Sequence, residues 1–261
     1  MHLLIIAILP AIFLMFVIYK CDRIEKEPIG LVLGVMALGM LSVIPTVICE
    51  LLATAGMDLI IPQGSVLYKF IDAFFGVALI EEFWKLVMVR LFIWKNKAFN
   101  YRFDAIVYCV ASSLGFALLE NILYVLQSGF GTGIARAIIS VPGHCTFAIF
   151  MGYFLGNAKL FEVKGQVGKC WLWTFFALLF PMLQHGFFDF CLFMENIVLT
   201  LIFLGFIIVC DVIAIVRIAV SEKQDTPFYV LKKGDRWISN PEWMQMAATT
   251  LDVQMPNIHY K

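Results

Sequence analysis

The stretch Phe75-Gly76-Val77-Ala78-Leu79-Ile80-Glu81-Glu82-Phe83-Trp84-Lys85-Leu86-Val87-Met88 sets two adjacent carboxylates and a lysine inside an otherwise apolar run. The run extends from Val66 to Trp94, so the three charges fall near its middle. An ionised carboxylate at the centre of a bilayer costs about 2.5–3.5 kcal/mol on insertion scales. Such groups persist where they face a polar cavity between helices. The chain repeats the pattern with Glu120, His144, His185 and Asp189, each inside a different apolar stretch or one helical turn from its partner. Carboxylates and imidazoles gathered at depth indicate chemistry or ion movement inside a membrane.

Composition agrees with a membrane class. Of 261 residues, 62% are apolar and 15% charged, and the mean hydropathy is +0.90. Soluble domains lie nearer to about half apolar and a quarter charged. Apolar runs of about 20 residues match a hydrocarbon core of about 30 Å. The first, Leu3 to Tyr19, lacks the basic flank and small-residue cleavage site of a signal peptide and reads as a retained helix. The fold class is therefore an all-α polytopic membrane protein, a bundle of about seven transmembrane helices. Its spans are expected at 2–19, 28–50, 66–94, 104–127, 134–157, 171–194 and 197–217. Pro45 should kink the second or end it. Residues 1–218 form the transmembrane domain and 219–261 a polar cytoplasmic tail, expected to be largely disordered, with Trp237 and Trp243 available to headgroups.

Basic residues give the orientation. Lys20, Arg23 and Lys26 follow span one; Lys95, Lys97 and Arg102 follow span three; Lys159, Lys164 and Lys169 follow span five. The loops at 51–65, 128–133 and 195–196 have neither Lys nor Arg. The positive-inside rule places the N-terminus outside and the C-terminus in the cytoplasm. Formal net charge is zero, and nothing suggests nucleic-acid binding. Seven dispersed cysteines without C-x-x-C spacing argue against a disulfide framework or a thiolate metal site; Cys145 stands out only because it adjoins His144.

Span counting puts Glu120, His144 and His185 at similar depth, roughly 12–15 Å below the outer surface at 1.5 Å per residue. Glu81 and Glu82 lie slightly deeper, near the midplane. Glu81 and Lys85 are i,i+4 neighbours that can pair. Glu82 is about 100° further round the helix, so the two carboxylates are expected to point different ways. Glu81 is taken as the base because Lys85 shares its face. His185 and Asp189 are also i,i+4, and the carboxylate can orient the imidazole. Asn121 can hydrogen-bond across the bundle. Gly115, Gly143, Gly152 and Gly186 flank these positions and allow close helix approach.

These residues resemble a known family. Glu81-Glu82-Phe83-Trp84-Lys85 is similar to the E-E-x-x-K motif of the PrsW family of intramembrane proteases. Phe116-Ala117-Leu118-Leu119-Glu120-Asn121 resembles its F-x-x-x-E-N motif, His144 with Gly152 its third motif, and His185-Gly186-Phe187-Phe188-Asp189 its H-G-x-x-D motif. The order agrees over roughly residues 1–218. The family looks related to the type II CAAX prenyl endoproteases, but the short Glu-to-Lys spacing and Glu120 favour the PrsW branch. The resemblance implies a multi-pass protein of the bacterial plasma membrane. It also implies hydrolysis of a membrane-anchored protein substrate, such as an anti-sigma factor, near the extracytoplasmic side.

Two chemistries fit. In one, His144, His185 and a glutamate, with Glu120 at matching depth, hold Zn²⁺ while a second glutamate acts as base. Glu81, Glu82, Lys85, Asn121 and Asp189 then complete the catalytic group. In the other, Glu81 activates water without metal. The metal reading is preferred. A non-catalytic scaffold of the same clan and a proton-coupled transporter are the alternatives, though no inverted repeat supports transport.

Overall fold

The structure is a computed structural model and describes residues 2–233 and 236–239. Helices dominate: α1 His2–Cys21, α2 Ile29–Asp58, α3 Val66–Ile71, a π-helical stretch Asp72–Ala78, and α4 Leu79–Phe92. There follow α5 Asp104–Ala135, a second π-helical stretch Arg136–Ser140, α6 Val141–Val163, α7 Val167–Phe193 and α8 Ile197–Lys223. The protein is an all-α polytopic membrane protein, as its composition requires. Five helical runs are long and apolar enough to cross a membrane among the described residues: His2–Cys21, Ile29–Asp58, Asp104–Val163, Val167–Phe193 and Ile197–Lys223.

One of these five runs is 60 residues long. As a straight rod it would reach about 90 Å, three times the hydrocarbon thickness. It is not straight. Gly129 has φ 84° and ψ −166°, a conformation that interrupts the helix and favours glycine. Beyond it the chain returns, so that an Arg136 guanidinium nitrogen lies 2.7 Å from Glu120 Oε2. The sequence expected a loop at 128–133; a single glycine makes the turn instead. The turn into α8 is equally short. Glu195 takes positive φ, and the Asn196 side chain accepts hydrogen bonds from the main-chain N–H groups of Val198 and Leu199. Pro45 neither ends α2 nor stops it at 50, since the helix continues to Asp58.

α5 is the spine. From Asp104 to Leu118 every residue is buried, because α1, α2, α4 and α6 surround it. Small residues make that packing possible. A Cβ on Gly39 would stand 1.9 Å from the Ser112 carbonyl oxygen, and one on Gly115 would stand 2.0 Å from that of Met36. The backbones of α2 and α5 therefore touch at two reciprocal points. Gly152 does the same between α6 and α5, 2.4 Å from the Ile106 Cα, whereas Gly143 meets nothing closer than 3.4 Å and is not required for close approach. On the outside, Leu204, Ile208, Val212 and Ile215 of α8 and Leu9, Phe13 and Phe16 of α1 are exposed, an apolar exterior suited to lipid.

All seven cysteines are free, and Cys145 sits in the apolar core. Of the tail expected over 219–261, residues up to Lys223 continue α8. Tyr229–Lys233 and Arg236–Ser239 form an antiparallel pair, β1 and β2. Residues 234–235 and 240–261, including Trp243, lie outside the described residues.

Candidate active site

Lys85 organises the centre. Its ammonium is fully buried, 2.9 Å from Glu81 Oε2, 2.8 Å from Glu82 Oε1 and 3.1 Å from His144 Nδ1. The Phe116 ring covers it at 4.2 Å. The expectation that the two glutamates point apart is corrected here. Lys85 lies four residues after Glu81 and three after Glu82, on the helix face between them, so both flexible side chains bend onto one cation. Two serines of the spine fix the neighbouring backbone: Ser112 donates to the Lys85 carbonyl and Ser113 to the His144 carbonyl.

The imidazoles approach from α6 and α7. Their ring centroids are 5.3 Å apart. An ammonium offers only donors, so His144 Nδ1 must accept from Lys85 and the ring hydrogen must sit on Nε2. That nitrogen donates to Glu120 Oε2 at 3.1 Å. His185 Nδ1 donates to Glu82 Oε1 at 3.0 Å, and its Nε2 lies 3.3 Å from Asp189 Oδ2. His144 thus turns Nδ1 to Lys85 and His185 turns Nδ1 to Glu82, and each ring turns Nε2 to an outer carboxylate. Phe147 stacks on His185 at 5.2 Å and holds its plane. One atom each from Glu81, Glu82, His144 and His185 lies within 4.8 Å of the others. Glu82 Oε2 is buried with no hydrogen-bond partner. Two imidazole nitrogens and two carboxylates are a donor set that suits Zn²⁺, and the orphaned oxygen leaves one ligand atom uncommitted.

A cavity of about 450 Å³ opens beside this cluster, lined by residues of α2, α4, α5, α6, α7 and both π-helical stretches. Glu81, Glu120, His144, His185 and Asp189 reach it; Glu82, Lys85 and Asn121 are not on its wall. Two charged lining residues escaped the sequence reading: Glu50 of α2 and Arg136. Both carried a signal. Glu50 is an acid beyond Pro45 in an apolar run, and Arg136 is a basic residue next to a loop, 128–133, that has neither Lys nor Arg.

Residues 27–217 match the family described as PrsW family intramembrane metalloprotease. The chain belongs to the PrsW family. It is 38% identical to "Protease PrsW" of Geobacillus kaustophilus over 183 residues, 70% of this chain and 76% of the relative. It is 35% identical to "Protease PrsW" of Oceanobacillus iheyensis over 211 residues, 81% of this chain and 92% of the relative. "Protease PrsW" of Bacillus subtilis is 31% identical over 185 residues, 71% of this chain and 80% of the relative. No solved structure matches the chain.

The motif residues of the PrsW resemblance converge, with two corrections. Glu120 does not join the four clustered ligand atoms, because His144 presents its far nitrogen to it and Arg136 holds it from the other side. Asn121 faces away: its amide donates to the Ala7 carbonyl of α1 and its oxygen accepts from Arg136 Nε. It braces Arg136 and not the reacting centre. Gly186 sits at a contact the sequence only hinted at. A Cβ there would stand 2.5 Å from the Phe74 ring and 3.0 Å from the Phe74 Cα. Gly186→Val is therefore expected to push the Asp72–Ala78 stretch off α7 and part His185 from Glu82. Overpacking of this kind costs about 1–3 kcal/mol. Thermal unfolding of the purified variant checks it, and an unchanged midpoint with full activity would refute the contact.

Proposed function

We propose that the chain is a metal-dependent endopeptidase that cuts a membrane-anchored protein on the extracytoplasmic side of the bilayer of a bacterial cell membrane. The carrying observation is the convergence of Glu81, Glu82, His144 and His185, with Glu120 and Asp189 on the outer nitrogens of the two rings. His144, His185 and the fully buried Glu82 would hold the ion once Lys85 withdraws from His144 Nδ1 and His185 Nδ1 gives up its hydrogen, with Glu120 and Asp189 fixing the rings. Zn²⁺ bound there would supply Lewis acidity and lower the pKa of the attacking water. Glu81 faces the cavity, takes the proton of the attacking water and passes it to the leaving amine. Lys85 balances the two glutamates.

Seven crossings with the N-terminus outside support the side of the cut, because the cavity lies toward the span ends whose connecting loops, 51–65, 128–133 and 195–196, lack Lys and Arg. An anti-sigma factor with one transmembrane span is the substrate class that follows from the family resemblance. Reporter fusions after Met57, Asn100 and Lys164 are expected to read outside, inside and inside. An outside reading at Asn100 would overturn this topology. A metal-free reading has one observation in its favour: Lys85 already places a cation among Glu81, Glu82 and His144. Cleavage of a single-span protein by the purified chain in lipid, with the bound metal measured in the same sample, tests the proposal. No cleavage under any metal condition would leave the scaffold alternative.

A further inference from the structure

A second group of acids lies at the opposite end of the spine. Asp22 and Glu27 belong to the connection between α1 and α2, and Asp104 opens α5. Each is at most 2% exposed, and one carboxylate oxygen from each lies within 4.8 Å of the others. Their partners leave charge unanswered. The Tyr108 hydroxyl donates to Glu27, and Asp104 Oδ2 accepts from the main-chain N–H groups of Asn100 and Tyr101 at 2.9 and 2.6 Å. Asp22 Oδ2 and Asp104 Oδ1 are buried with no hydrogen-bond partner. Lys26, four residues from Asp22, directs its ammonium to the main-chain carbonyls of Tyr19, Lys20 and Asp22, where it caps the end of α1. Among the described residues no Lys or Arg forms an ion pair with any of the three acids.

Buried carboxylates without a counter-charge are costly, and a bound cation removes that cost. Oxygen-only ligands select a hard ion, which such sites hold at about 2.0–2.6 Å. We propose that Asp22, Glu27 and Asp104 bind a hard divalent cation, Mg²⁺ or Ca²⁺, that clamps the α1–α2 connection to the start of α5. The same corner receives the exit of α8, since Asp225 accepts from the Phe103 N–H and the Phe228 N–H donates to the Asn100 carbonyl. Asp104 precedes Glu120 by about 24 Å along α5 at 1.5 Å per residue, so this site is separate from the catalytic cluster.

Thermal unfolding of the chelator-stripped, full-length chain in detergent, with added Mg²⁺ or Ca²⁺, tests the site. Wild type is expected to melt higher with one of the ions. Asp22→Asn and Asp104→Asn are expected to weaken that response on the order of tenfold or more in ion concentration, since ligand charge sets affinity. Without ion, Asp22→Asn is expected to melt no lower than wild type, because removing one of three unpaired charges relieves repulsion. His185→Ala, which disturbs only the other cluster, is expected to keep the full response. The proposal is overturned if neither ion moves the wild type, if both Asn variants respond like it, or if His185→Ala abolishes the response. The first of those results means that the acids share protons instead. Asp22→Asn decides the matter alone if Asp104→Asn does not fold.

Discussion

Glu81→Gln is expected to keep its metal and lose its activity. Glutamine has the shape of glutamate and its oxygen still accepts from Lys85, but it cannot take a proton from water. General-base catalysis contributes about 10²–10⁴-fold, so turnover of a single-span substrate should fall by that order. Glu82→Gln differs in kind. Glu82 is fully buried and lies against His185 Nδ1, not on the cavity wall. Its loss should remove both metal and activity. Turnover and metal content measured on the two variants separate the roles. Loss of metal from Glu81→Gln together with its retention by Glu82→Gln would reverse the assignment.

The second large effect is that of the histidines. His144→Ala and His185→Ala each leave two protein ligands, too few to hold zinc in a site of this type, so bound metal and cleavage should vanish together. Glu120→Gln and Asp189→Asn should behave more mildly. Both carboxylates meet the rings only at the outer nitrogens, with Glu120 also held by Arg136, and losses of that sort cost about 10- to 100-fold in affinity. Metal titration distinguishes the classes: the outer variants should be rescued by higher metal concentration and the histidine variants should not. If His185→Ala retained full metal and activity, the cluster would have another purpose.

Most of the site was legible because its residues are anomalies. Charges and imidazoles inside apolar runs cannot be explained as surface, so Glu81, Glu82, His144, His185 and Asp189 identified themselves, and i,i+4 spacing paired His185 with Asp189. What sequence could not supply was direction. Whether Glu120 meets the inner or the outer nitrogen of His144 depends on how α5 and α6 rotate about their axes, and that is set by Gly115 and Gly152 against neighbouring backbones. The convergence of Glu81 and Glu82 likewise depends on side-chain flexibility around Lys85, which an angle of about 100° on a helical wheel does not capture. Asn121 hydrogen-bonds across the bundle as expected, to the Ala7 carbonyl of α1; its place in the catalytic group rested on the family motif, and adjacent helical residues face apart. In the fold, the turn within 128–133 was legible, but that Gly129 makes it was hidden, because Gly131 and Gly133 share the same stretch. The π-helical stretches were hidden because an extra residue in a turn leaves the apolar pattern almost unchanged.

The most direct test of the central claim is metal content measured beside cleavage in one preparation. Purified chain is expected to carry close to one equivalent of zinc, to lose substrate cleavage on chelation, and to regain it when zinc is restored. A metal-free, chelator-resistant preparation that cleaves at the full rate would contradict the account and leave Glu81 and Lys85 to work on water alone.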